Sequence, residues 1–221
     1  MKRTLILASL SLTVGASQAY VLDFGNGPDA PTLCSSSSDG SGAFVGCTNG
    51  TYFNQAYGDV AGVVDVGYSA PRIVTDSRSL RWWSTDYNDL YGVLWADGGD
   101  SDSRARITLT PLGGGQVNLT HFDLGAWVET TRGTTVNIYE IGNATPVYTF
   151  SGNVGSGLTH ASFDVNISSA VGLQLEWQDS AYNVGIDNVT FTVGVVPEPS
   201  TYAMLLAGLA FCGALSRRRR G

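Results

Sequence analysis

The chain has 221 residues, 14% of them charged, and a formal net charge of −7. Lys2, Arg3, Arg217, Arg218, Arg219 and Arg220 are half of its basic residues, so residues 20–195 hold six arginines, no lysine and eighteen acids. That balance excludes a nucleic-acid partner, because phosphate contacts need basic side chains.

The chain opens with a targeting pattern. Lys2 and Arg3 form a charged start, residues 5–14 an apolar stretch, and Ser17-Gln18-Ala19 a small-x-small cleavage site. Residues 1–19 are therefore predicted to be a signal peptide, with Tyr20 the first mature residue. Residues 20–195 are long enough for one domain with a sizeable core.

Within that domain, residues 21–24 read as a first strand. Residues 25–50 are rich in Gly, Ser and Pro and read as a long loop. Cys34 and Cys47 are the only cysteines of the domain. An exported chain meets an oxidising compartment, so the two are predicted to pair. Residues 61–68, 78–83 and 91–95 are apolar or aromatic strands, the last two around a polar turn at 84–89. An acidic turn follows at 97–102. Residues 104–110 alternate, with Ala105, Ile107 and Leu109 inward and Arg104, Arg106 and Thr108 outward.

Residues 116–129 form a longer segment whose parity slips. Val117 and Leu119 share one face, while Phe122 and Leu124 have the opposite parity. A bulge near Thr120 and His121 reconciles them. Residues 135–141 and 147–150 pair as a hairpin around Gly142-Asn143. Phe163, Val165 and Ile167 point inward, as do Leu173, Leu175 and Trp177, and residues 184–193 close the domain. About ten short strands with frequent glycine turns predict an all-β, jelly-roll β-sandwich.

The last stretch, 196–221, lies outside any core. It runs from Val196, Pro197, Glu198, Pro199 and Ser200 through an apolar run to the four arginines, Arg217 to Arg220. The prolines keep the motif extended and accessible to a protease. The apolar run, 202–216, is short for a membrane span, which usually takes ~20 residues. Arg217, Arg218, Arg219 and Arg220 act as a basic stop that holds this end in the cytoplasm. In order, spacing and position the stretch resembles the PEP-CTERM sorting tail of Gram-negative bacteria. The resemblance implies an exosortase-type membrane protease as partner. It also implies export, a transient transmembrane anchor in the inner membrane, then release to the cell surface or extracellular matrix. A plain uncut anchor is the alternative.

From residue 117 onward the chain resembles the galactose-binding-like jelly roll, through VNLTHFDLGAW, TTVNIYEIG, VGLQLEW and above all GIDNVTFTV. Carbohydrate-binding modules share such sandwiches. In them an Asp in the last strand often helps hold a structural calcium, with oxygens from near the first strand. The resemblance nominates Asp187 here, with Asp23 as its partner. By parity Asp187 shares a face with Val189 and Phe191, so it should be buried and needs compensation. A cap on backbone amides is the other reading. Asp97, Asp100 and Asp102 form a second, weaker calcium candidate or a solvated loop.

Trp82, Trp83, Tyr87, Tyr91 and Trp95 crowd aromatic surface into a short stretch. Adjacent strand residues face opposite ways, so Trp82 and Trp83 are not both core. An exposed aromatic face stacks on sugar rings, with Asp86, Asn88 and Asp89 as partners for hydroxyls. Packing under the disulfide loop is the competing reading. Catalytic residues are not singled out: His121 and His160 stand alone, and no nucleophile motif is present. The expected function is a non-enzymatic, surface-sorted protein that binds carbohydrate, such as exopolysaccharide. Alternatives are a structural biofilm or envelope protein without a discrete ligand, and a polysaccharide-active enzyme. The latter would show two carboxylates facing across a cleft.

Overall fold

The computed structural model describes residues 17–25, 31–71, 78–98, 103–195 and 208–209. The signal-peptide stretch 1–16, Asp100, Asp102, the motif Val196 to Ser200, and Arg217 to Arg220 lie outside the described residues. Among the described residues no helix is long and apolar enough to cross a membrane.

Thirteen strands are described: β1 (Gln18–Leu22), β2 (Cys34–Ser35), β3 (Phe44–Val45), β4 (Val64–Ser69), β5 (Arg81–Trp83), β6 (Val93–Trp95), β7 (Arg104–Pro111), β8 (Gly115–Ala126), β9 (Arg132–Glu140), β10 (Tyr148–Val154), β11 (Ala161–Ser169), β12 (Leu173–Gln178) and β13 (Val184–Val195). They make a β-sandwich. One sheet has the order β11-β8-β13-β6-β5 with β1 added on β13, the other β10-β9-β12-β7-β4, and β2-β3 is a separate hairpin. The predicted long loop thus carries a small hairpin of its own. The first strand starts earlier than expected, with Gln18 and Ala19 already opposite Val193 and Thr192.

The core follows from register. Ala161, Leu124, Ile186, Leu94 and Trp82 oppose one another across five strands of the first sheet. Tyr148, Ile138, Leu175, Ile107 and Tyr68 do the same across the second. These two rows face each other because directly opposed residues share a face, and successive residues alternate. Trp177 ties the sheets together by donating its indole N–H to Val184 O at 2.9 Å.

The parity slip in β8 is present. Val117 and Leu119 are buried, then Phe122 and Leu124, and the register against β13 shifts beside Thr190. Cys34 and Cys47 are bonded and buried in the main core. The disulfide loop leads into residues 50–53, which line the β5 edge: Gly50 N–H donates to Trp82 O and Phe53 N–H to Leu80 O.

Candidate binding site

The neighbouring tryptophans divide between the two faces of β5. Trp82 enters the main core and donates its indole N–H to Phe24 O at 2.8 Å. Trp83 turns outward, opposite Val93. There it joins a second apolar cluster with Tyr87, Leu90, Val93, Trp95 and Trp127. Among the described residues, none of the disulfide loop belongs to this cluster. The turn between β5 and β6 folds back over the outer face instead.

That fold-back needs two glycines in the sheet beneath. A Cβ on Gly125 would stand 2.3 Å from Tyr87 O, and one on Gly185 would stand 2.5 Å from Val93 Cγ2. Asn88 then pins the turn. Its side chain accepts Ala126 N–H at 2.6 Å and donates to Thr130 O and Gly157 O. Asp86 and Asn88 both take positive φ, 71° and 57°, a conformation Asn and Asp tolerate better than most residues. Asn88 is thus structural, and Asp89 is engaged by His160 at 2.7 Å.

Beside the turn lies a recess of about 280 Å³, counted to its open mouth. Five aromatic residues and one amide line it: Trp83, Tyr87, Trp95, Trp127, Tyr182 and Asn183. The rings pack edge to face in a series. Trp127 meets Trp83 at 6.3 Å, Trp83 meets Trp95 at 6.2 Å, and Trp95 meets Tyr182 at 5.2 Å between centroids. The Trp83 and Trp95 indole nitrogens are buried, and neither has a hydrogen-bond partner among the described residues. Buried indole N–H groups usually find an acceptor. Burial, above all, raises the Tyr87 hydroxyl pKa, and that hydroxyl donates to Tyr182 O at 3.2 Å.

Of the five aromatic candidates, Trp83, Tyr87 and Trp95 line the recess. Trp82 is core, and Tyr91 is exposed without lining it. Trp127, Tyr182 and Asn183 were missed. Trp127 directly follows β8 and Tyr182 shortly precedes β13, and Trp127 N–H donates to Asn183 O at 2.9 Å. Pairing of those strand ends is the signal that locates them.

The carboxylates settle differently from the expectation. Asp187 is buried but does not share the face of Val189 and Phe191. The register shifts after Asp187, with Asn188 at a positive φ of 54°, so parity changes there. Asp187 instead directly opposes Asp123. Its Oδ1 accepts the Phe24 N–H at 3.0 Å, and Asp23 Oδ1 accepts the Gly25 N–H at 2.9 Å. Burial pushes the Asp187 pKa up to about 8 against the hydrogen bonds, with the Asp23 and Asp123 charges adding to the rise. Asp97 pairs with Arg81 at 2.7 Å, and Arg81 in turn lies over the Tyr52 ring.

Residues 195–220 match the PEP-CTERM protein-sorting motif. The chain thus carries the mark of an exported protein processed at the membrane. No curated protein matches it. Among solved structures, it is similar to a GH26-CBM35 β-(1,4)-mannanase of Podospora anserina, at 11% identity and a TM-score of 0.36, over 62% of this chain and 29% of that one. It is similar to a family 29 carbohydrate-binding module from Piromyces equi, at 15% identity and a TM-score of 0.29, over 59% and 92%. A family 11 carbohydrate-binding module from Clostridium thermocellum is similar at 8% identity and a TM-score of 0.31, over 68% and 99%.

Proposed function

We propose that this protein is sorted by an exosortase to the cell surface or matrix, where its sandwich binds carbohydrate without transforming it. The observation that carries the reading is the recess itself. Flat aromatic walls suit the apolar faces of a sugar ring, and two unpaired indole N–H groups suit its oxygens. The recess is small and open at its mouth, which suits a single ring at a chain end or branch rather than an enclosed ligand. The acidic surface favours a neutral glycan over an anionic one.

The test is titration of the full chain, solubilised in detergent, with neutral oligosaccharides and the host's own exopolysaccharide, followed by tryptophan fluorescence. Saturable quenching that is lost in Trp83→Ala supports the reading. No response to any glycan leaves a structural envelope or biofilm protein. An EDTA arm tests the calcium proposal at Asp187 and Asp23: binding lost in EDTA and restored by calcium supports a structural ion there.

A further inference from the structure

The chain has two histidines, and both turn Nε2 toward one carboxylate oxygen. His121 Nε2 lies 3.1 Å and His160 Nε2 3.5 Å from Asp123 Oδ1. Asp123 is 4% exposed, and among the described residues no hydrogen bond reaches that oxygen. The ladder brings them together. Asp123 on β8 stands opposite Ser162 on β11, His121 stands opposite Asp164, and His160 immediately precedes β11.

Each of the three groups is held from behind. Asp164 Oδ1 is 2.8 Å from His121 Nδ1, and Asp89 Oδ1 is 2.7 Å from His160 Nδ1. Asn188 Nδ2 donates to Asp123 Oδ2 at 2.9 Å. With its proton on Nδ1, toward the carboxylate behind it, each ring would present its Nε2 lone pair to the buried Asp123 oxygen, and a bound cation would join the three groups.

We propose that His121, His160 and Asp123 hold a divalent transition metal ion of the zinc class, oriented by Asp164, Asp89 and Asn188. Imidazole with carboxylate is a donor set for zinc and its neighbours. Bonds of ~2.0–2.2 Å at tetrahedral angles put neighbouring donors roughly 3.3 Å apart, close to both separations seen here. Among the described residues no group of His, Cys, Asp and Glu is already arranged to hold a metal ion, so the two partly exposed rings would have to turn to close the site. The Ser162 hydroxyl, 3.1 Å from His160 Nε2, marks the side left for a fourth ligand. The ion would also fasten His160, and through Asp89 the turn that roofs the aromatic recess.

The test is equilibrium dialysis of the full chain against zinc, with cobalt substitution read by visible absorption. One ion per chain and the strong bands of four-coordinate cobalt are expected. His121→Ala, His160→Ala and Asp123→Asn should each weaken zinc binding more than a hundredfold. Asp164→Asn changes a carboxylate that is 92% exposed, so it should fold normally and still weaken binding about tenfold. Thermal melts check that every variant folds. No binding, or binding unchanged in either histidine variant, overturns the proposal. So does a response to calcium and zinc alike.

Discussion

Asp187 accepts the backbone N–H of Phe24 at 3.0 Å across 163 residues of sequence. The bond joins the start of the domain to its last strand. The folded Asp187 pKa is about 8, against ~3.9 for an unfolded aspartate. Between those values the folded chain holds a proton that the unfolded chain releases, so stability falls as pH rises from about 4 to about 8. Asp187→Asn keeps the acceptor and cannot ionise, although Asp23 and Asp123 still face it. In EDTA, denaturant melts should show the variant gaining on the wild type through that window, by on the order of a few kcal/mol at the top. Parallel pH profiles would refute the assignment.

The adjacent residues Trp82 and Trp83 should fail in different ways. Trp82→Ala empties a site in the main core and should cost ~3–5 kcal/mol of stability. Trp83→Ala opens the recess on the outer face, with a smaller loss of stability and at least a tenfold loss of glycan affinity. Denaturant melts and titrations of the two variants side by side check the contrast.

Gly125→Ala places a methyl carbon against the Tyr87 carbonyl. The turn over the outer face must lift, at a cost of ~1–3 kcal/mol for overpacking. Tyr87 then leaves the recess and Asp89 leaves His160. Tryptophan fluorescence should shift, and the His160 ring signals should move in NMR spectra. Unchanged spectra would show that the turn accommodates the methyl in place.

The Cys34–Cys47 bond closes a loop of 14 residues, worth ~3 kcal/mol on the chain-entropy model. Both cysteines belong to the main core, and Cys34 pairs with Phe53 in an isolated bridge. Reduction should lower the unfolding free energy by that margin, while a Cys34→Ala, Cys47→Ala double variant loses cavity energy in addition.

The sandwich was legible because its strands carry period-2 patterns. Ala105, Ile107 and Leu109, and again Leu173, Leu175 and Trp177, name their face without help from their neighbours. The slip at Thr120 and His121 was legible for the same reason, since apolar residues lie on both sides of it. The change at Asn188 leaves the same mark, Val184 and Ile186 against Val189, Phe191 and Val193, and Asp187 is misplaced when its parity is taken from Val189 onward alone. Tyr91 and Trp95 looked equivalent in sequence. The turn that buries one and leaves the other exposed depends on glycines in strands far along the chain. His121, Asp123 and His160 have no metal-site spacing, and only the pairing of β8 with β11 and β13 brings them together.

β13 runs from beside the aromatic recess, where Tyr182 and Asn183 precede it, to Val195, where the sorting motif begins. Twelve extended residues at ~3.3 Å each span roughly 35–40 Å. While the tail is held at a membrane, the recess sits at the distal pole of that strand, and Gln18 beside Val193 keeps the domain's entry at the near pole. Tension between tail and cargo would run along β13 itself, loading its hydrogen bonds to β8 and β1 together in shear rather than peeling them one by one.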